Sequence, residues 1–212
     1  MYIGRIVAAG LTPSGNAVAA YRVSSRSFPN RSASILHRQI AVMPRAGFES
    51  DLAKNPYIAY NCIRLAGTVA LATNGSHTDP ILEKIQAGHP LRDALTLSLL
   101  ALDYEHDSLD TPRIAVAVDA KTEKAMFGIV RKDAVLVREF PLEPGKLFFL
   151  ATYEKNAPCM ANFDDGFAGL SAADACRHLI DGGIFADFEK PVTAAAAVWN
   201  GTDYDLAALD AE

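Results

Sequence analysis

The chain has 212 residues, half of them hydrophobic, with 20 basic and 25 acidic residues and a formal net charge of −5. This length and composition can bury a substantial core, so we expect one domain over residues 1–212, and the acidic balance argues against nucleic acid as a partner. No secretory leader and no apolar run near the roughly 20 residues that span a bilayer are present, so we expect no membrane association and a cytoplasmic location.

The first third of the chain is predicted to be a meander of antiparallel strands. Runs rich in Val, Ile and Ala recur at residues 3–9, 17–24, 40–43, 58–65 and 68–73. The pairs Ser14-Gly15 and Ala66-Gly67 are typical of tight turns between neighbouring strands. Hairpins are therefore the simplest interpretation of this region.

A cationic segment overlaps the second predicted strand. The first 48 residues contain no Asp or Glu but six arginines, at positions 5, 22, 26, 31, 38 and 45. If residues 21–25 form a strand, Arg22 and Ser24 face one side while Tyr21 and Val23 face the other. Guanidinium groups and hydroxyls pair well with phosphate, so the pattern predicts a site for a phosphorylated small molecule. For any single arginine, a merely solvated side chain is an equally good interpretation.

Two helices and a second block of strands are predicted next. Asp79 followed by Pro80 predicts the start of one helix, and leucines with helical spacing predict another over residues 91–102. Strands are predicted at residues 114–118, 125–131, 134–140 and 147–153. Ser171 and Asp174 resemble a capping box that opens a helix ending before Gly182, and residues 192–199 and 204–208 predict a closing hairpin.

The order of these elements predicts the fold class. Strands, helices, strands, a helix and strands follow one another without a regular βαβ alternation. That order favours antiparallel sheets with helices segregated to their outer faces. We therefore predict an α+β fold, a four-layer α-β-β-α sandwich.

Polar residues at the ends of these elements are candidates for chemistry. Tyr60 could present its hydroxyl from a strand, although an ordinary half-buried tyrosine is the more common case. Cys62 raises the alternative of a thiol nucleophile, but a buried and inert cysteine is the better interpretation. The three cysteines are widely spaced, the histidines lack ligand spacing, and phosphate-loop and dinucleotide motifs are absent. No metal is predicted.

Six segments together resemble the archaeal-type IMP cyclohydrolase family: MYIGR, YRVSSRSFPNR, NPYIAYNC, NGSHTD, DYE and TPRIA. The resemblance extends over nearly the whole chain. It implies a fold similar to the N-terminal nucleophile hydrolases and the cyclisation of formamido-imidazole-carboxamide ribotide (FAICAR) to IMP with loss of water. This is the last step of inosinate synthesis, and the resemblance implies no cofactor.

The same resemblance implies roles for individual residues. Glu105 would handle the carboxamide proton, Tyr60 would donate to the formyl oxygen, and Arg31 would stabilise developing negative charge. The candidate substrate-binding residues are Arg22, Ser25 and Arg26 for phosphate or ribose, with Asn74, Ser76 and Arg113 for base or ribose.

Two alternatives of other classes remain open from the sequence. One is an amidohydrolase of the related fold, which would have to use Cys62 because Met1-Tyr2 offers no N-terminal nucleophile. The other is a non-catalytic protein that binds purine nucleotides. The sequence also leaves the oligomeric state open, a homo-oligomer included.

Overall fold

The computed structural model describes residues 1–212 and contains strands arranged in two antiparallel sheets. The strands are β1 (Ile6–Leu11), β2 (Ala17–Ser24), β3 (Arg31–Leu36), β4 (Gln39–Pro44), β5 (Tyr60–Ala66), β6 (Val69–Thr73), β7 (Arg113–Asp119), β8 (Lys124–Arg131), β9 (Ala134–Pro141), β10 (Leu147–Ala151), β11 (Phe163–Asp164), β12 (Pro191–Trp199) and β13 (Tyr204–Asp210). Sheet A has the order β11-β10-β1-β2-β12-β13, and sheet B has the order β3-β4-β5-β6-β7-β8-β9.

Helices occupy the connections between strands. The α-helices are α1 (Asp51–Lys54), α2 (Thr78–Gln86), α3 (Leu91–Leu102) and α4 (Ala172–Asp181), and short 3-10 helices cover Pro56–Ile58 and Gly183–Asp187. None of the helices has the length and apolar character that crossing a bilayer requires.

The two sheets pack face to face, and helices cover their outer faces. The largest apolar cluster lies between the sheets and includes Tyr21 of β2, Tyr60 of β5 and Phe127 of β8. A second cluster joins the other face of sheet A to α4, and a third joins the other face of sheet B to α2 and α3. Burial on both faces explains why β2 is apolar along nearly its whole length.

Most of the predicted elements are confirmed. The first hairpin pairs Val7 with Tyr21, and the closing hairpin pairs Ala195 with Ala208. The capping box of α4 is present, because the Ser171 hydroxyl accepts from the Asp174 amide at 3.1 Å while the Asp174 carboxylate accepts from the Ser171 amide at 3.0 Å. An α+β fold with two antiparallel sheets is therefore shown.

Two details of the prediction are wrong. Helix α2 begins at Thr78, and Asp79 does not cap it, because the Asp79 carboxylate accepts hydrogen bonds from the side chains of Asn61 and Arg64. Strand β3 was not predicted, because it lies at the edge of sheet B with half-exposed Ile35 and Leu36 and shows no clear alternation.

A β-bulge alters the expected alternation in β5. Ile40 pairs with Ile63, but its neighbour Ala41 pairs with Asn61, so Cys62 is the extra residue. As a result Cys62 and Ile63 both lie in the cluster between the sheets, whereas strict alternation predicts opposite faces. The bulge leaves Tyr60 on the inner face.

Candidate active site

A polar cavity lies where one end of each sheet meets the loop after α3. The parts of the chain that form it are the segment before β1, the loop from β2 to the start of β3, the 3-10 helix before β5, the loop between α3 and β7, and the segment after β10. Its walls consist of Tyr2, Arg5, Ser25, Ser27, Phe28, Arg31, Asn55, Tyr57, Ile58, Glu105, Asp107, Ser108, Leu109 and Tyr153.

Glu105 is a buried carboxylate held by two arginines. Only 1% of its side chain is exposed. Arg5 Nη2 donates to Glu105 Oε2 at 3.0 Å, and Arg113 Nη1 lies 3.8 Å from Oε1. Burial raises the pKa of Glu105 above its ordinary value, while the charges of Arg5 and Arg113 act against that rise. The site therefore contains a carboxylate of increased basicity beside two cations.

The loop after α3 is held rigidly enough to fix Glu105. The Glu105 amide donates to the Thr111 carbonyl oxygen at 2.8 Å. The Asp107 carboxylate accepts from the Thr111 amide at 3.0 Å and from its hydroxyl at 2.7 Å. The helix ends at Asp103 in a left-handed conformation, with φ of 56°. Asp107 thus serves the loop, and Glu105 is left free for the cavity.

Arg113 closes the inner side of the Glu105 site. Its Nε donates to the Asp103 carbonyl oxygen at 2.8 Å, and its guanidinium lies 5.6 Å from the centre of the Tyr57 ring. Three buried polar atoms in this region have no hydrogen-bond partner: Glu105 Oε1, Arg113 Nη1 and His77 Nδ1. A Cβ on Gly75 would lie 2.9 Å from Arg113 Nη1 and 3.3 Å from each of the other two atoms.

Arg31 offers an uncommitted guanidinium to the cavity. Its one side-chain hydrogen bond runs from Nε to the Phe28 carbonyl oxygen at 3.0 Å. Neither Nη atom has a hydrogen-bonding partner in the protein, and the side chain lines the cavity. A buried cation without an acid partner favours binding of negative charge.

Tyr60 meets Tyr21 across the two sheets. The hydroxyl oxygens of Tyr60 and Tyr21 are 2.6 Å apart, and the rings pack edge to face. Burial raises the pKa of Tyr60, and the nearby charges of Arg31 and Arg5 oppose that rise. Tyr60 is therefore a protonated hydroxyl near neutral pH, and it can donate a hydrogen bond.

Ser25 and Arg26 lie toward the mouth of the cavity. Ser25 is buried and its hydroxyl oxygen accepts from the Phe28 amide at 3.0 Å, which leaves the hydroxyl hydrogen free. Arg26 is exposed, lies 4.1 Å from the centre of the Tyr2 ring and pairs with Glu189 at 3.2 Å. Ser25 lines the cavity, and Arg26 lies next to the lining residue Tyr2.

Of the predicted site residues, Ser25, Arg31 and Glu105 line the cavity, whereas Arg26, Tyr60 and Arg113 do not line it but lie next to residues that do. Arg22, Asn74 and Ser76 are not brought to it. Arg22 is fully buried on the opposite face of β2, where Nε donates to Ser24 Oγ at 3.0 Å. Its Nη atoms donate to the carbonyl oxygens of Leu179, Ile180, Phe185 and Phe188. The face that the sequence predicted to bind an anion is thus covered by α4 and the 3-10 helix after it.

The Asn74 amide is occupied with the backbone. Its Oδ1 accepts from the Ile114 amide at 2.7 Å and its Nδ2 donates to the Pro112 carbonyl oxygen at 2.9 Å. Ser76 is exposed in the turn before α2 and does not line the cavity. In the structure these two residues belong to the connection between β6, α2 and β7.

Cys62 does not resemble an activated nucleophile. It is fully buried, its thiol donates to the Ile40 carbonyl oxygen at 3.3 Å, and burial raises its pKa well above the ordinary value. No group of three or more His, Cys, Asp or Glu side chains converges in the structure.

Arg5 and Tyr21 are among the residues at the site that were not singled out from the sequence. Arg5 was counted only as part of the cationic segment, and its place just before β1 gave no indication of its pairing with Glu105. Tyr21 was predicted to face away from Arg22, which is correct, but nothing in the sequence indicated its contact with Tyr60. Both pairings bring together parts of the chain that are distant in sequence.

Comparison with known proteins extends over almost the whole chain. Residues 2–203 match the family described as "IMP cyclohydrolase-like protein". Three relatives bear the name "IMP cyclohydrolase". Those from Halobacterium salinarum and Methanocella arvoryzae are each 50% identical, covering 99% and 97% of this chain and 99% and 96% of the relative. The relative from Methanosphaera stadtmanae is 43% identical over 97% of this chain and 98% of its own.

Proposed function

The chain belongs to the IMP cyclohydrolase-like protein family, and on that basis we propose that it is the enzyme that cyclises FAICAR to IMP with loss of water, in the final step of purine nucleotide synthesis. The observation that carries the mechanism is the buried Glu105 carboxylate, which faces the same cavity as the uncommitted Arg31 guanidinium.

The reaction joins two unreactive groups. The carboxamide nitrogen attacks the formyl carbon, so that one C–N bond forms and negative charge develops on the formyl oxygen. The nitrogen loses one proton, and the oxygen gains one. The carbon–oxygen bond then breaks, a second proton leaves the former formamide nitrogen, and water departs. A catalyst must therefore hold both groups together, accept a proton and stabilise an oxyanion.

We assign Glu105 as the group that accepts the carboxamide proton. Its Oε1 is buried 3.8 Å from Arg113 Nη1 but has no hydrogen-bond partner in the protein, so its lone pairs are uncommitted and can accept a proton. Arg5 holds the other oxygen at 3.0 Å, which fixes the orientation of the carboxylate. The raised pKa makes this carboxylate a stronger base than an exposed glutamate, while the charges of Arg5 and Arg113 limit that rise.

We assign Tyr60 and Arg31 to the formyl oxygen. The protonated Tyr60 hydroxyl donates to that oxygen as negative charge develops, and the Arg31 guanidinium stabilises the same charge. Tyr60 lies in the cluster between the two sheets and Arg31 lines the cavity, and Arg31 is the charge that most lowers the pKa of Tyr60. The pair therefore acts where a C=O bond becomes a C–O⁻ bond.

The rest of the cavity suggests how the ribotide binds. The Ser25 hydroxyl and the Arg26 guanidinium lie on the side of the mouth where the phosphate or ribose would sit. The rings of Tyr2, Tyr57 and Tyr153 line the cavity and offer flat surfaces to the imidazole, and Arg113 lies behind Tyr57 and Glu105. Arg22 and Asn74 have no part in this proposal, because the protein backbone occupies their polar atoms.

Three broader expectations belong to the same proposal. We infer that residues 1–212 form a single domain and that the layered arrangement of sheets and helices is that of the N-terminal nucleophile hydrolases. We also infer a cytoplasmic location, where purine nucleotides are made and used. The buried Cys62 gives no support to acyl-enzyme chemistry of the kind that those hydrolases perform.

The test is direct. The purified protein, treated with a chelator, is mixed with FAICAR, and IMP formation is followed by absorbance and chromatography. Turnover without added metal or nucleotide supports the proposal. Tight binding of IMP without turnover would instead favour a nucleotide-binding protein, and it would remove the proposed roles of Tyr60 and Glu105.

A further inference from the structure

The hydroxyls of Tyr21 and Tyr60 form an isolated pair. Tyr21 comes from β2 of sheet A and Tyr60 from β5 of sheet B, and their oxygens are 2.6 Å apart. Neither hydroxyl has a second hydrogen-bond partner in the protein. The two residues differ in burial, since Tyr21 is fully buried whereas Tyr60 keeps 9% of its surface exposed.

Counting protons gives this hydrogen bond a direction. Each phenol has one hydrogen, and only one of the two can lie between the oxygens. If Tyr60 donated, the Tyr21 hydrogen would be buried among apolar side chains without an acceptor, which is unfavourable. If Tyr21 donates, its hydrogen is satisfied and the Tyr60 hydrogen remains free at the residue that reaches the surface.

We propose that Tyr21 is a positioning residue of the cyclisation: its hydroxyl donates to Tyr60 and thereby directs the Tyr60 hydrogen toward the formyl oxygen of the substrate. The catalytic role of Tyr21 rests on the proposed function. The direction of the hydrogen bond does not, because it is a property of the protein alone. Tyr21 itself does not touch the substrate.

The surroundings of the pair agree with this direction. Arg31 and Arg5, the cations nearest to Tyr60, are donors and cannot accept its hydrogen. The hydrogen bond from Tyr21 lowers the pKa of Tyr60, whereas the same bond raises the pKa of Tyr21, as expected for a donor and its acceptor. Tyr21 therefore also stabilises negative charge on Tyr60 while Tyr60 donates.

Kinetics of Tyr21→Phe test the consequence for catalysis. We expect kcat to fall about tenfold with KM changed less than about twofold, because one neutral hydrogen bond to the donor is lost while the substrate contacts remain. Tyr60→Phe should lower kcat further, and Tyr21→Phe should then have no additional effect in the Tyr60→Phe background. Unchanged kcat in Tyr21→Phe, or the same tenfold loss in both backgrounds, would overturn the proposal.

Tyr204→Phe is the matched control for stability. Tyr204 is also a buried tyrosine of the inner cluster, and its hydroxyl donates to the Thr68 carbonyl oxygen at 3.0 Å, outside the cavity. We expect this variant to lower the melting temperature, as removal of any buried tyrosine hydroxyl does, while kcat stays unchanged. A kcat loss equal to that of Tyr21→Phe would show that the Tyr21 effect is only structural.

Neutron diffraction from a deuterated crystal of the unaltered protein tests the direction without reference to activity. The expected result is a deuterium atom on Tyr21 Oη that points at Tyr60 Oη. A deuterium atom on Tyr60 that points at Tyr21 would overturn the proposal. Either result stands whether or not the protein converts FAICAR, so failure of the proposed function is recognised separately.

Discussion

Arg5 and Glu105 form a 3.0 Å hydrogen bond although 100 residues separate them in the sequence. Arg5 ends the segment before β1 in sheet A, and Glu105 lies in the loop that leads to β7 in sheet B. The bond therefore joins the two sheets at the cavity. Both side chains are largely buried, so water could not replace either partner if the other were removed.

Glu105→Gln should lower kcat by about 10²–10⁴-fold, the usual contribution of a positioned acid or base. The amide has nearly the same shape but cannot accept the carboxamide proton, so the affinity for IMP should stay nearly unchanged. IMP formation and calorimetric titration with IMP measure the two quantities. Glu139→Gln, at an exposed glutamate of β9, is the control. Full activity of Glu105→Gln would refute its assigned role.

Arg5→Gln should move the acidic limb of the kcat profile to higher pH. Glu105 acts as a base only when ionised, and activity is lost as the pH falls through its pKa. Removing the Arg5 charge leaves the effect of burial less opposed, so the pKa of Glu105 rises further. Arg38→Gln, which breaks an exposed pair with Asp203, should leave the limb in place. If the acidic limb of the Arg5→Gln profile does not move, a group other than Glu105 causes that limb.

Arg22→Met should destabilise the protein by at least about 3 kcal/mol without changing kcat of the folded enzyme. The substitution removes the arginine donor from four carbonyl oxygens near α4. The Phe185 oxygen still accepts from the Phe188 amide, but the other three become orphan acceptors, and each buried one costs about 1–3 kcal/mol. Denaturant unfolding and FAICAR kinetics measure the two effects. Arg38→Met, at a surface pair, should cost less than about 1 kcal/mol. A raised KM with unchanged stability would instead show that Arg22 binds the substrate.

Gly75→Ala should lower kcat about 10–100-fold with little loss of stability. The new methyl group would lie 2.9 Å from Arg113 Nη1 and 3.3 Å from Glu105 Oε1, and it would displace the groups that position the base. Gly166→Ala is the control, because a Cβ there meets no atom closer than 3.6 Å. Activity equal to that of the unaltered protein would show that the Arg113 side chain can move aside without consequence.

The residue pattern predicted the elements well but predicted the contacts between them poorly. The alternation in β2 correctly placed Arg22 and Tyr21 on opposite faces. It could not show that the Arg22 face lies under α4, because the carbonyl oxygens that bind Arg22 come from more than 150 residues further along the chain. The partners of Arg5 and Tyr21 could not be predicted for the same reason, because they too come from distant parts of the chain.

Glu105 was given its catalytic role only through the resemblance to a family. Its sequence neighbours Asp103 and Asp107 are acidic too, and nothing local distinguishes the three carboxylates. The structure distinguishes them by burial: Asp107 binds the loop backbone, Asp103 is largely exposed, and Glu105 alone faces both arginines. Which of the three carboxylates can act as the catalytic base depends on ion pairs between the two sheets. No local sequence pattern predicts those pairs.

The packing of sheet A against sheet B has a consequence for folding. Two pairings of the site join one sheet to the other: Arg5 with Glu105, and Tyr21 with Tyr60. A partly folded form with both sheets intact but not yet docked would contain all the secondary structure but neither of these pairings. During refolding, enzyme activity should therefore recover later than the circular dichroism signal. The rate at which activity returns then measures how fast the two sheets dock.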